Sequence, residues 1–200
     1  MKLIARFFSS VLHPLLMPLY GTFILIHYSY LDVYPASVKR VILYIVGLFT
    51  LVIPLVGIVL LKALRLIEHV SLNRREDRKL PYLITLASYF ACGYLLYKLN
   101  LPPWVVGFVA GGLLSLIVAS IITIWWKISA HMTGMGGFLG AMVFLFHYMN
   151  LMPLWLLLTA ILLTGLLGTS RIELNRHTFG QVLAGTFNGF VCVYLTMLLF

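Results

Sequence analysis

The chain has 200 residues, 62% of them hydrophobic and only 10% charged, and its 14 Lys and Arg against 5 Asp and Glu give a net charge of +9. Soluble domains carry about a quarter charged residues, so a water-soluble fold is excluded. Nucleic acid is an unsuitable partner, because no basic stripe lies on a soluble module. The positive charge suits phosphates or anionic headgroups, or else marks the cytoplasmic ends of membrane helices.

The chain begins "MKLIARFFSSVLHPLLMPLYGTF", a basic start followed by apolar residues. No small-x-small cleavage site follows, so a retained first helix is expected rather than a removed leader. Pro14 and Pro18 make its opening irregular, as in a surface segment that then enters the membrane. Seven apolar segments follow one another at about 14–31, 40–63, 82–98, 104–126, 134–150, 153–168 and 181–200. Their runs are continuous rather than alternating and approach the ~20 residues that cross a bilayer as helix. The fold class is therefore all-α, a polytopic membrane bundle of six to seven transmembrane helices in one domain, residues 1–200. "NLPP" and "NLMP" read as tight breaks between antiparallel helices. Gly107 and Gly111, Gly136 and Gly140, and Gly185 and Gly189 stand at the spacing that lets helix backbones approach closely. Cys92 and Cys192 lie inside apolar runs and read as buried free thiols.

Polar chemistry concentrates in three islands: "SLNRREDRKLP" (71–81), "KISAHMTG" (127–134) and "SRIELNRH" (170–177). They follow the second, fourth and sixth apolar segments. With seven crossings all three fall on one membrane face, together with the N-terminus, and can converge. The first island holds Arg74, Arg75, Arg78 and Lys79 beside Glu76 and Asp77. Arginine forks match phosphate oxygens bidentately and lysine adds a point charge, although a basic loop between membrane helices is ordinary. The second island places His131 before a helix opening "MTGMGG", where free N–H groups favour anions and Ser129 could add a hydroxyl. In the third, Gln181 follows His177 by four residues. On a helix starting near 176 the two would share a face, with Gln181 holding one ring nitrogen and preparing the other as base or nucleophile. Together the islands suit a tetrahedral anion at the membrane surface. His13, His27, His69 and His147 are read as interfacial or packed; His13 alone of these is weighed further, since it falls on the active face.

Ser170-Arg171, five residues, His177, three residues, Gln181 resembles the third signature of the type-2 phosphatidic acid phosphatase family, Ser-Arg-x5-His-x3-Asp. "ISAH" at 128–131 resembles its second signature, Pro-Ser-Gly-His, and "RREDRKLP" at 74–81 is similar to a degraded form of its first, Lys-x6-Arg-Pro. The resemblance covers about 70–185. It implies a membrane-embedded lipid phosphatase or diphosphatase that works through a phosphohistidine, with no metal and no cofactor. Carried across, His177 is the nucleophile and His131 the general acid. Arg171 and Ser129 hold phosphoryl oxygens, and Arg78 or Lys79, with Arg74 and Arg75 nearby, stand in for the first signature's cations.

The chain departs from the family where Gln181 replaces Asp, since an amide can orient His177 but supplies no charge to a forming imidazolium. Glu173 could supply a carboxylate instead, or simply pair with Arg176. The competing reading is a weakened member that binds or transports a phospholipid or polyprenyl phosphate; a purely structural membrane protein is a third. Magnesium-dependent prenyl transfer is disfavoured because Asp32 and Asp77, the only two aspartates, fall on opposite faces. The expected location is a bacterial inner membrane. The basic residues put the active face on the cytoplasmic side, whereas the family's enzymes more often face outward.

Overall fold

The computed structural model describes residues 2–67 and 79–200. His69, Arg74, Arg75 and Arg78 lie outside the described residues. Among the described residues the protein is all helical, with no strand. The helices are α1 (Lys2–Val11), α2 (Met17–His27), α3 (Ala36–Ala63), α4 (Lys79–Lys98), α5 (Pro103–Trp125), α6 (Ala130–Met149), α7 (Leu154–Glu173) and α8 (Phe179–Leu199). Helices α3 to α8, 20 to 28 residues each, are long and apolar enough to cross a bilayer, which makes this a multi-pass membrane protein. Their outward side chains, such as Leu83, Phe90, Leu162 and Phe187, are exposed and apolar, as a lipid-facing surface requires.

The first apolar segment is less regular than a spanning helix. Only 11 residues of it are α-helix, followed by a 3-10 turn at Tyr30–Val33. Yet Pro14 and Met17 lie against Gly134 at the start of α6. Leu25, Ile26 and Leu31 join the apolar cluster of Leu101, Leu145 and Met152 at the other end. Residues 14–31 therefore run the depth of the bundle as a short helix with loose ends. Helix α1 is separate and packs on α7. Its buried side is Ala5, Ser9 and Leu12, while Leu3, Ile4 and Phe7 point outward, the pattern of a helix lying in the interface.

Local sequence explains the interruptions. Within α3 the turn at Leu48–Val52 widens to π geometry just before Pro54. Proline cannot donate to the carbonyl four residues back, and its ring crowds it, so a wide turn takes up the mismatch. The turns after α4, α6 and α7 each place an asparagine in the left-handed region, Asn100, Asn150 and Asn175 at φ of 51°, 50° and 52°. Asparagine tolerates that conformation better than other non-glycine residues. The two Asn-Leu breaks expected from sequence are among them.

The tightest seam joins α6 to α8. A Cβ on Gly136 would come within 2.1 Å of the Thr186 carbonyl oxygen, and one on Gly189 within 1.9 Å of that of Thr133. Gly107 and Gly111 meet α8 as closely, at 2.7 Å from the Thr196 carbonyl oxygen and 2.3 Å from its hydroxyl. Lipid tails are as apolar as leucine, so close backbone contact rather than hydrophobic exclusion holds such helices together. Asn188 adds a hydrogen bond from its Nδ2 to the Ser115 carbonyl across α5 and α8, 2.9 Å, worth about 0.6 kcal/mol on average in membrane proteins. This seam positions the site, because α6 carries His131 and α8 carries the partner of His177.

Candidate functional site

Two short links between helices, Trp126–Ser129 and Leu174–Thr178, lie at the same end of the bundle as α1. Each ends in the residue that caps the next helix. Ser129 is the N-cap of α6, its hydroxyl accepting from the Met132 N–H at 3.5 Å. Helix α6 therefore starts at Ala130, and His131 lies within its first turn rather than ahead of it. Thr178 is the N-cap of α8 and forms a capping box with Gln181: the Thr178 hydroxyl accepts from the Gln181 N–H, and Gln181 Oε1 accepts from the Thr178 N–H at 3.2 Å. Helix α8 thus starts at Phe179, and His177 lies outside it. The two do not share a helix face as the spacing suggested. They meet because the Gln181 side chain turns back toward the cap.

That return fixes the chemistry of His177. Its Nδ1 lies 3.1 Å from Gln181 Oε1. An oxygen already accepting a backbone N–H can only accept again, so Nδ1 carries the proton and Nε2 the lone pair. Gln181, not Glu173, occupies the orienting position.

Neighbouring backbone sets the other two rings in the same way. His131 Nε2 lies 3.2 Å from the Ser9 carbonyl oxygen of α1; a carbonyl only accepts, so Nε2 is protonated and Nδ1 holds the lone pair. The Leu15 N–H donates to His13 Nδ1 at 3.4 Å, which leaves the proton on His13 Nε2. The His13 and His131 rings meet edge to face, with centroids 5.2 Å apart. Burial first, and the Arg171 guanidinium second, hold the His13 imidazole below its ordinary range, which favours this neutral form.

One cavity of about 230 Å³ gathers these groups. His13, His131, His177, Arg171, Arg176 and Lys127 line its polar end. Leu55, Ile58, Phe108, Leu116 and Val193 line its apolar depth. Leu55, on α3, lines this wall and is itself part exposed. Tyr82, in the first turn of α4, also lines it, and its buried hydroxyl has no hydrogen-bond partner among the described residues. Buried hydroxyls are ordinarily bonded, so one aimed at a cavity is suited to a ligand.

Several expected residues are thus brought together, and others are not. His131, Arg171 and His177 share the cavity, with Gln181 behind His177. Ser129 is fully buried and does not line the cavity. Its hydroxyl caps α6, and its carbonyl accepts from both the N–H and the hydroxyl of Thr133. The role of phosphate donor expected for it is therefore corrected to helix cap. The "MTGMGG" glycines are likewise packing residues, with Gly134 under Pro14 and Gly136 and Gly137 against α8. Lys79 is exposed at the start of α4 and is not part of the lining. His13, set aside as interfacial or packed, instead joins the cluster; counting crossings already placed it on this face. Tyr82, just past the first island, carried no signal of its own.

Cys92 and Cys192 are free and buried, as expected. Among the described residues no group of three or more His, Cys, Asp and Glu is arranged to hold a metal ion. No family model, curated protein or solved structure matches the chain.

Proposed function

We propose that the protein is a membrane-embedded lipid phosphatase or diphosphatase, a divergent relative of the type-2 phosphatidic acid phosphatases. One observation carries this reading. A single cavity joins three histidines and three cations at one end to apolar walls at the other. That amphipathic shape suits a phosphate headgroup on an apolar tail, and charge-stabilising groups around a phosphoryl centre are what its transfer needs.

The reaction runs in two steps. His177 Nε2 attacks phosphorus, and the bond from phosphorus to the lipid oxygen breaks. The negative charge of the bound phosphate draws a second proton onto His131, at Nδ1; His131 gives that proton to the departing oxygen and so releases the lipid alcohol, or the monophosphate if the substrate is a diphosphate. Water then attacks the phosphohistidine, losing a proton to His131, and inorganic phosphate leaves with His177 restored. Arg171, Arg176 and Lys127 offset the charge on the phosphoryl oxygens, and the Tyr82 hydroxyl donates to one of them. Metal and cofactor play no part in this scheme. The site belongs, on this reading, to the plasma membrane of a bacterium, with the basic end cytoplasmic.

One observation favours a second reading, a weakened member that binds or carries a lipid phosphate. Gln181 Oε1 is shared between His177 and the Thr178 N–H and brings no negative charge. Phosphate release separates the two. Purified protein with chelator present should liberate phosphate from at least one member of a panel of lipid phosphates and diphosphates. His177→Ala and His131→Ala should each lower that release by at least about a hundredfold. Equal release by all three proteins, or none by the wild type, rejects the enzyme.

A further inference from the structure

Outside the deep cavity a second, shallower bowl lies between α1 and the end of α7. Lys2 and Arg6 reach it from one side of α1, and Arg171 and Arg176 from α7 and the link after it. Among the described residues no carboxylate lines it. Lys2, Arg6 and Arg176 bring like charges together in one concave site, and an anion between them would offset their repulsion.

A second observation is independent of charge. Ser9 lines this bowl, and its hydroxyl is buried with no hydrogen-bond partner among the described residues. Most hydroxyls on the helices of this protein avoid that state by bonding the carbonyl four residues back, as Thr22, Thr85 and Ser170 do. Ser9 has the same option on α1 and does not take it. A buried donor left unbonded carries a desolvation cost that an anionic oxygen in the bowl would offset.

The third is position. The adjacent side of α1 exposes Leu3, Ile4 and Phe7, at 80%, 63% and 62%. These would sink α1 to the boundary between headgroups and acyl chains. The bowl then opens at headgroup depth.

We propose that this bowl binds the phosphate of an anionic lipid from the leaflet in which α1 lies. Arg6 and Arg176 clasp its oxygens, Lys2 adds charge, and Ser9 donates a hydrogen bond. Arg171, Arg176, His13 and His131 border both this bowl and the deep cavity, whereas Lys2, Arg6 and Ser9 line only the bowl. The two are coupled through Ser9, which lines the bowl and whose carbonyl accepts from His131 Nε2. An occupied bowl holds α1 in place, and α1 holds the His131 ring.

The test uses the full chain in phosphatidylcholine nanodiscs, titrated with short-chain phosphatidylglycerol and followed by calorimetry. Its phosphodiester is not a phosphomonoester substrate for the deep cavity. Replacing Lys2 and Arg6 together by Gln should weaken binding about twenty-fivefold, from roughly fivefold per lost surface cation. Ser9→Ala should weaken it severalfold at unchanged charge. The same double change at Lys39 and Arg40, at the opposite end, should leave it unchanged. Unaltered affinity in the Lys2 and Arg6 double variant overturns the proposal. Inorganic phosphate binding as tightly as the lipid also overturns it, since the site would then be one for free anions. His177→Ala should bind phosphatidylglycerol like the wild type. A wild type that never releases phosphate, yet whose titration still depends on Lys2 and Arg6, rejects the catalytic reading and keeps the bowl.

Discussion

The two ends of the helix bundle treat polar groups in opposite ways. At the far end the polar groups that are paired are paired with near neighbours in sequence. Lys39 donates to the Asp32 carboxylate at 2.8 Å and to the Asp32 carbonyl at 2.6 Å. Ser29 accepts from the Leu31 N–H, and Lys98 lies over the Tyr94 ring on its own helix. At the near end the link before α2, the links flanking α6 and α8, and the end of α7 send His13, Lys127, His131, Arg171 and His177 into one space. Three buried hydroxyls there, Ser9, Tyr82 and Thr123, have no partner among the described residues. Local pairing closes off a membrane interface cheaply. Converging groups from distant segments, some left unsatisfied, incur a free-energy cost that a ligand offsets.

The largest expected effect separates two arginines, one at each end. Arg171→Ala should lower kcat/KM for phosphate release by about 10²–10³, the range for losing one charge-stabilising donor at a reacting centre. Arg40→Ala at the far end should leave it unchanged. Equal losses, or none, would dissolve the distinction between the ends.

The next effect is on packing. Gly189→Leu must fit a side chain where even a Cβ would lie 1.9 Å from the Thr133 carbonyl oxygen. That contact is with backbone, so α6 and α8 must separate, at a cost of about 1–3 kcal/mol or more. His131 and the His177–Gln181 pair sit on opposite sides of this seam. Both thermal stability in detergent and phosphate release should therefore fall. Gly165→Leu, where a Cβ would meet nothing within 4 Å, should do neither.

Much of this was legible from the sequence, for reasons that differ by element. The bundle, the Asn-Leu breaks and the glycine seams follow from apolar length and small-residue spacing, which depend on few residues at a time. The shared face of the second and third islands followed from counting crossings. What the sequence hid were the helix starts. Ser129 looked like a phosphate donor because a serine beside a histidine fits either role; the cap decides which. Thr178-x-x-Gln181 is a legible capping box, but reading Gln181 against an Asp signature drew attention away from its bond to the Thr178 N–H. His13 and Tyr82 could not be found by motif, since only the fold carries them to the cavity from either side of α3.

A third test asks whether the near end is tuned for an anion. Burial and Arg171 depress the His13 pKa in the folded protein. As pH falls below the ordinary imidazole value near 6.5, the unfolded chain binds a proton that the folded one refuses, so stability drops. The drop continues until pH reaches the depressed value and then levels off. Thermal midpoints measured from pH 8 down to 5 should fall more steeply for the wild type than for His13→Gln. A bound anion should flatten the wild-type curve, because it favours protonated His13. Parallel curves for the two proteins would remove His13 from the cluster.

The smallest effect concerns Gln181, where two jobs meet in one oxygen. Gln181→Ala removes both. The N-cap Thr178 keeps its bond from the residue-181 N–H, so only the return bond to the Thr178 N–H is lost, about 0.5–1.5 kcal/mol, and His177 loses the acceptor that fixes its tautomer. Gln181→Glu keeps the length of the side chain and the acceptor for the Thr178 N–H, and adds a carboxylate beside His177 Nδ1. Glutamate is also the usual third residue of a capping box, so stability should hold or rise slightly. The added charge favours the imidazolium that forms as Nε2 attacks phosphorus, and activity should rise by a few fold. Gln181→Asp brings the same charge on a side chain shorter by one methylene, which cannot reach the Thr178 N–H and His177 from the same backbone position. Its activity should therefore fall between those of Gln181→Ala and Gln181→Glu. Phosphate release and the thermal midpoint, measured on all three, separate charge from reach. If Glu and Asp behave alike, charge alone matters and the capping geometry is incidental to His177. If Glu lowers activity below the wild type, the neutral amide is required, and the site is built to hold a lipid phosphate rather than to cleave it.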